Sequence, residues 1–119
     1  MIFIIHYKQG NIILIPFPFT DFSTTKNRPA IIISSNAYNS THDDIIICAI
    51  TSQIPKNLEP YDYLLNASEL LEATLPKKSL IKTDKILAID KKFIRKTLGT
   101  LPQDSINKII NHLNHAFRD

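Results

Sequence analysis

The sequence predicts a mostly β, α+β fold with short helices and a C-terminal amphipathic helix, and three observations carry that reading. The first half holds three apolar runs of strand length, separated by polar stretches rich in Ser, Thr, Asn and Asp. The C-terminal segment spaces Ile106, Ile109, Ile110, Leu113 and Phe117 three and four apart, which gathers them on one helical stripe. A chain of 119 residues builds one core, so residues 1–119 read as a single domain.

Taken in order, Gly10-Asn11 forms a turn ahead of a β-favouring run from Asn11 to Phe19. Pro16 and Pro18 cannot donate ladder hydrogen bonds, so the end of this strand is expected at an edge or bent out of the sheet. Thr20 to Asn27 is a hydroxyl-rich loop. Pro29 holds Arg28 extended, and Ala30 to Ser35 continues as a second strand. Asn36 to Asp43 reads as a polar connection, and Asp44 to Ile50 as a third strand closed by Thr51-Ser52-Gln53. These runs are apolar on both parities, as expected where both faces are buried in a small closed barrel or under a partner. Further on, Tyr61 to Leu65 suggests a fourth strand, Asn66 to Leu71 a capped helical turn, and Lys78 to Lys82 a short strand. Asp90 to Gly99 has a candidate N-cap and a terminal Gly, so a short helix is expected there. A final helix is expected from about Asp104 to Phe117.

Composition narrows the function classes. With 44% hydrophobic and 21% charged residues the chain should fold, and Gly 2 with Pro 7 argues against a linker or disordered segment. The apolar opening Met1 to Ile5 breaks at His6-Tyr7-Lys8, short of a membrane span, and lacks the pattern of a secretory signal, so the expected compartment is the cytoplasm. A single cysteine, Cys48, sits within the third apolar run and reads as a small buried hydrophobe. A net charge of +3 makes a polyanionic partner plausible without requiring one. The basic residues are 11 Lys and only three Arg, so an arginine retained in this background points to a task that a plain charge cannot perform.

The only glycines, Gly10 and Gly99, match no nucleotide-binding loop. The histidines His6, His42, His112 and His115 have no set of cysteines beside them, so no zinc site and no cofactor is expected. His112 and His115 straddle the apolar stripe of the last helix and read as partly exposed helix residues, and His42 beside Asp43-Asp44 reads as a turn residue. What remains is Arg28 at the start of the second strand and Thr51 at the end of the third. If these strands are antiparallel neighbours, the two meet at one edge and can share a phosphate. From spacing alone the plainer alternative, a surface charge and a turn hydroxyl, is the commoner case.

Three blocks turn this pattern into a resemblance. Gly10-Asn11-Ile12-Ile13-Leu14-Ile15-Pro16-Phe17-Pro18-Phe19-Thr20-Asp21, then Lys26-Asn27-Arg28-Pro29-Ala30-Ile31-Ile32-Ile33-Ser34-Ser35, then Ile46-Ile47-Cys48-Ala49-Ile50-Thr51-Ser52-Gln53 resemble the MazF/PemK family of toxin endoribonucleases in order and spacing. Ser79 to Ile86 and Leu98 to Leu101 are similar to that family's closing elements. The resemblance implies an SH3-like β-barrel with appended helices, a homodimer, metal-independent cleavage of single-stranded RNA, and inhibition by a small cognate antitoxin protein. It assigns Arg28 and Thr51 as the catalytic pair and Ser52 and Gln53 as substrate contacts. Asn11 departs from the acidic residue the family more often has there, and Lys77-Lys78 is more charged than in many members.

The chemistry that follows is attack of a ribose 2′-hydroxyl on its own 3′-phosphate, leaving a 2′,3′-cyclic phosphate and a 5′-hydroxyl, which spares DNA. Arg28 would face the growing charge on phosphorus-bound oxygens and Thr51 would donate to one of them or orient the nucleophile. Water or Asp21 would take the proton. Phe17, Phe19 and Tyr38 are candidate base-stacking residues, Thr20 belongs to the same loop as a candidate RNA contact, and Lys26 and Lys78 would attract the backbone. Two alternatives keep the fold: a toxin acting by protein binding, of the gyrase-inhibitor type, or an inactive RNA-binding homologue.

Overall fold

The computed structural model describes residues 5–17, 26–66, 69, 72–73, 75 and 78–118. These form seven antiparallel strands in one sheet: β1 Asn11–Phe17, β2 Lys26–Ile32, β3 Asp44–Thr51, β4 Asp62–Leu64, β5 Glu72–Ala73, β6 Leu80–Asp90 and β7 Lys96–Thr100. Helix α1 spans Asn36–Thr41 and α2 spans Gln103–Asn114. The sheet runs β4-β6-β3-β2-β1-β7-β5, an order with two ends that no pairing joins among the described residues.

Both faces of the central strands are buried, as their unbroken apolar runs require. One face carries Ile12, Ile31, Cys48, Ile50, Tyr63 and Ile81 and packs on Leu101 and Ile109. The other carries Ile13, Ile15, Ala30, Ile32, Ile45, Ile47 and Ala49, closed over by Tyr7, Ile89 and Ile94. On β1, β2 and β3 the two sets have opposite parity, so each neighbour along those strands enters a different core. Pro16 pairs with Asn27 of β2, while β7 reaches along β1 only as far as Leu14, so among the described residues the proline faces no ladder on its other side.

Gly10 turns the chain into β1 at a φ of +92°, where a side chain is strained, and its N–H bonds the Ile32 carbonyl at 2.8 Å. A Cβ there would run into the end of the Ile106 side chain, so glycine also lets α2 settle on the sheet. The helix is fastened by Glu69, whose carboxylate accepts from Tyr63 Oη at 2.6 Å, from the Asn66 N–H at 3.3 Å and from Ser105 Oγ of α2. Burial alone would raise the Glu69 carboxyl, but the bonds from Ser105, Tyr63 and Asn66 outweigh it and hold the pKa below the usual range. Tyr63 is pushed up to about 12 by burial first and then by that carboxylate.

Four expectations need correction. Asn36 to Asp43 is not an unstructured connection: α1 fills it, capped by Ser35, whose side chain accepts from the Tyr38 N–H. β2 begins four residues before Ala30 because Lys26 to Pro29 already pair with β1. The short strand foreseen over Lys78 to Lys82 runs on to Asp90. The helix expected over Asp90 to Gly99 is one 3-10 turn at Lys91–Phe93, capped by Asp90, and then β7. Tyr61 to Leu65 and the terminal helix do form their elements, although Phe117 lies beyond α2 and is 69% exposed. The turn foreseen over Asn66 to Leu71 falls largely outside the described residues. No helix among the described residues is long and apolar enough to cross a membrane.

Candidate active site

β2 and β3 pair Ala30 with Ala49, Ile31 with Cys48 and Ile32 with Ile47. Carried two positions further, that register sets Arg28 across from Thr51, with both on the same side of the sheet. On its other flank Arg28 pairs with Ile15 of β1, and Thr51 pairs with Leu80 of β6. The rigid middle of the sheet therefore aims two side chains that are 23 positions apart in sequence.

Both line a concavity of about 800 Å³, together with Asn27, Pro29, Ile50 and Leu80. Ser52 and Gln53 continue its wall beyond the end of β3, and Pro55, Leu75 and Ser79 close it. Among the described residues its charged lining is Arg28, Lys82 and Lys85, all cations, so the hollow suits an anion. Arg28 and Thr51 are half-buried, while Ser52 and Gln53 are exposed. Thr51 Oγ1 accepts the Gln53 N–H at 3.1 Å, a local turn bond that holds the hydroxyl oxygen and leaves its proton to donate elsewhere.

Of the residues singled out in the sequence, Arg28, Thr51, Ser52 and Gln53 thus come together. Lys26 and Lys78 are exposed and do not line the hollow. Phe19, Thr20 and Asp21 lie outside the described residues. Tyr38 lies in α1, where its ring stacks on His42 at 3.8 Å and its hydroxyl donates to Asp44 at 3.0 Å, so it does not line the hollow either. His42 ends α1 as its C-cap, in the turn role expected of it. Cys48 is fully buried and its thiol is pushed up to about 12 by burial and then by Asp84.

Sequence reasoning missed Asn27, Lys82 and Lys85. Lys82 and Lys85 lie three apart on a strand, where side chains ordinarily face opposite ways. A bulge in β6 changes that: Ala49 pairs with Lys82, while the adjoining Cys48 pairs with Ile86. Lys82 Nζ donates to Asp62 Oδ1 at 2.7 Å and lies 3.8 Å from Asp84. Burial pulls this ammonium's pKa down, but the bond to Asp62 and the charges of Asp84 and Asp62 raise it above the ordinary lysine value.

Comparison with known proteins decides the family. The model of the PemK-like, MazF-like toxin of type II toxin-antitoxin systems matches residues 8–117. The chain belongs to that family. Among curated proteins none matches this sequence. Solved structures similar to this PemK/MazF-family chain include an endoribonuclease from a mycobacterial species, at TM-score 0.75 and 21% identity over 97% of this chain and 94% of the other. A mycobacterial endoribonuclease in complex with its cognate antitoxin aligns at TM-score 0.73 and 21% identity, covering 93% and 94%. MazE-MazF from Deinococcus radiodurans aligns at TM-score 0.73 and 20% identity, covering 95% and 97%.

Proposed function

We propose that this chain is the toxin of a type II toxin-antitoxin system and acts as an endoribonuclease that cuts single-stranded RNA without a metal. The observation that carries the reading is the meeting of Arg28 and Thr51 on one wall of a hollow whose charged lining, among the described residues, is cationic. In the reaction the 2′-oxygen bonds to phosphorus as the bond to the 5′-oxygen breaks. A proton leaves the 2′-oxygen for solvent and one joins the 5′-oxygen, giving a 2′,3′-cyclic phosphate and a 5′-hydroxyl. Charge grows on the non-bridging oxygens, and a guanidinium fork aimed there binds the transition state better than the ground state. Thr51, its oxygen already held by Gln53, donates its proton to one of those oxygens. Ser52, Gln53 and Asn27 line the same wall and contact the neighbouring nucleotides.

By analogy with the endoribonuclease and the MazF crystallised with antitoxins, a cognate antitoxin covers this hollow, and two copies of the chain pair as a homodimer. The finer architecture we infer is an SH3-like barrel, supported by two opposed cores on one sheet and by bulges in β6 and along β1–β7 that curl it. The deciding experiment incubates the purified chain with a long RNA in excess chelator and maps the 5′ ends. Discrete cuts with 5′-hydroxyl ends, abolished in Arg28→Ala, are expected. Intact RNA, or cuts that persist in that variant, would reject the assignment.

A further inference from the structure

The bulge in β6 places two lysines, Lys82 and Lys85, on the wall of the hollow, and Lys82 is built in rather than loosely attached. Its partner Asp62 has a side chain with no exposure at all, and the second oxygen of that carboxylate accepts the Glu59 N–H at 2.9 Å. A carboxylate buried this way fixes where the ammonium stands. Lys82 keeps 23% of its side chain exposed. Asp62 takes one of its three N–H bonds, Asp84 stands 3.8 Å away as a second ion-pair partner beyond hydrogen-bond reach, and the Tyr61 ring lies 5.5 Å from the ammonium, so its hydrogen-bonding capacity is not used up by Asp62.

Its position along the sheet fits a particular task. Arg28, Thr51 and Leu80 form one cross-strand row, and Lys82 lies two residues farther along β6, about 7 Å at the rise of a strand. That displacement resembles a step between backbone phosphates more than the width of one phosphate. We propose that Lys82, held by Asp62, is a second phosphate contact: it binds a non-bridging oxygen of the RNA phosphodiester adjoining the one that Arg28 and Thr51 engage. Lys82 thereby sets the strand's register over the catalytic pair, and Asp62 acts as its positioning residue. The inference rests on the endoribonuclease reading above.

The test measures binding of a mixed-sequence 2′-O-methyl RNA, which cannot be cut because its nucleophile is capped, across a range of salt concentrations. Lys82→Gln should weaken binding and flatten the log–log salt dependence by about 0.7, the contribution of one single-strand phosphate contact. Asp62→Asn, which unfastens the ammonium, should weaken binding of the same RNA. Removing the lysine alone strands a buried carboxylate and risks unfolding, so the double variant Asp62→Asn/Lys82→Gln, which discharges both, must show the flattened slope as well. On cleavable RNA the double variant should raise KM more than it lowers kcat. If the wild type cuts RNA but the double variant keeps the wild-type slope, Lys82 is only the structural counter-charge of Asp62 and the proposal fails while the nuclease stands. If the wild type neither binds nor cuts RNA, both fall together.

Discussion

Thr51 holds the Gln53 N–H at 3.1 Å on its own hydroxyl oxygen, so the group proposed to donate to phosphate is oriented by the residue that also lines the substrate wall. Thr51→Val keeps the shape and removes the donor. A loss of about 10²–10³ in cleavage rate is expected, as for one electrostatic donor, with Thr51→Ser recovering most of it. Initial rates on a defined RNA give the answer, and an unimpaired valine variant would remove Thr51 from the mechanism.

Arg28→Lys separates charge from geometry. The ammonium keeps the positive charge but loses the planar fork that grips two oxygens, so cleavage should fall by about 10²-fold or more while RNA binding changes little. Rate and affinity measured on the same RNA should diverge. Equal losses in both would make Arg28 a binding residue only.

Gly10→Ala tests the turn into β1. The methyl would meet Ile106 Cδ1, a side-chain end that can swing aside, whereas the φ of +92° cannot relax without loosening the bond from the Gly10 N–H to Ile32. A loss of about 1–2 kcal/mol is expected from urea unfolding. Adding Ile106→Val, which removes the clashing methyl, should fail to restore it.

The latch of Tyr63, Glu69 and Ser105 makes a pH signature. Tyr63 is raised to about 12 in the fold, against about 10 in the unfolded chain, so its neutral form is favoured by folding. Its contribution is whole below about pH 10 and drains away as pH climbs toward 12. Glu69 is lowered, so its contribution is present above the ordinary glutamate range and lost as pH falls through the depressed value. The stability gap between wild type and Tyr63→Phe should therefore narrow at alkaline pH, and that for Glu69→Gln in acid. Denaturant titrations across pH would show either gap staying constant if the latch does not form.

Cys48 should resist thiol reagents in the native protein at neutral pH and react at once after unfolding, because its thiol is buried and pushed up to about 12. Fast native labelling would mean that the face carrying Ile31, Cys48 and Ile81 opens readily.

The parts of this fold that were readable from sequence are those where one physical signal acted alone. β1, β3 and the second half of β2 are apolar on both faces, and among the described residues no other element buries such a run. α1 was unreadable because Asn36 to Thr41 carries no apolar stripe and is held by its Ser35 cap and by Lys91 reaching the Asn39 carbonyl. Around Asp90 and Gly99 two genuine signals pointed the wrong way. The aspartate does cap a turn, but only one, and the glycine sits at φ 150° inside β7 where the β1 ladder shifts register. Arg28 and Thr51 could be paired in advance because adjacent antiparallel strands bring a start to an end. Lys82 and Lys85 could not, since only the bulge puts positions three apart on one wall.

The ladder joining Asn11 to Thr100 has a consequence for how the molecule is made. β1 is made before β2 yet finds its second neighbour only once residues 96–100 have left the ribosome, and the wall beside Thr51 waits for Leu80. A growing polypeptide therefore cannot assemble this hollow piecemeal, because its wall is unfinished until β6 lies along β3.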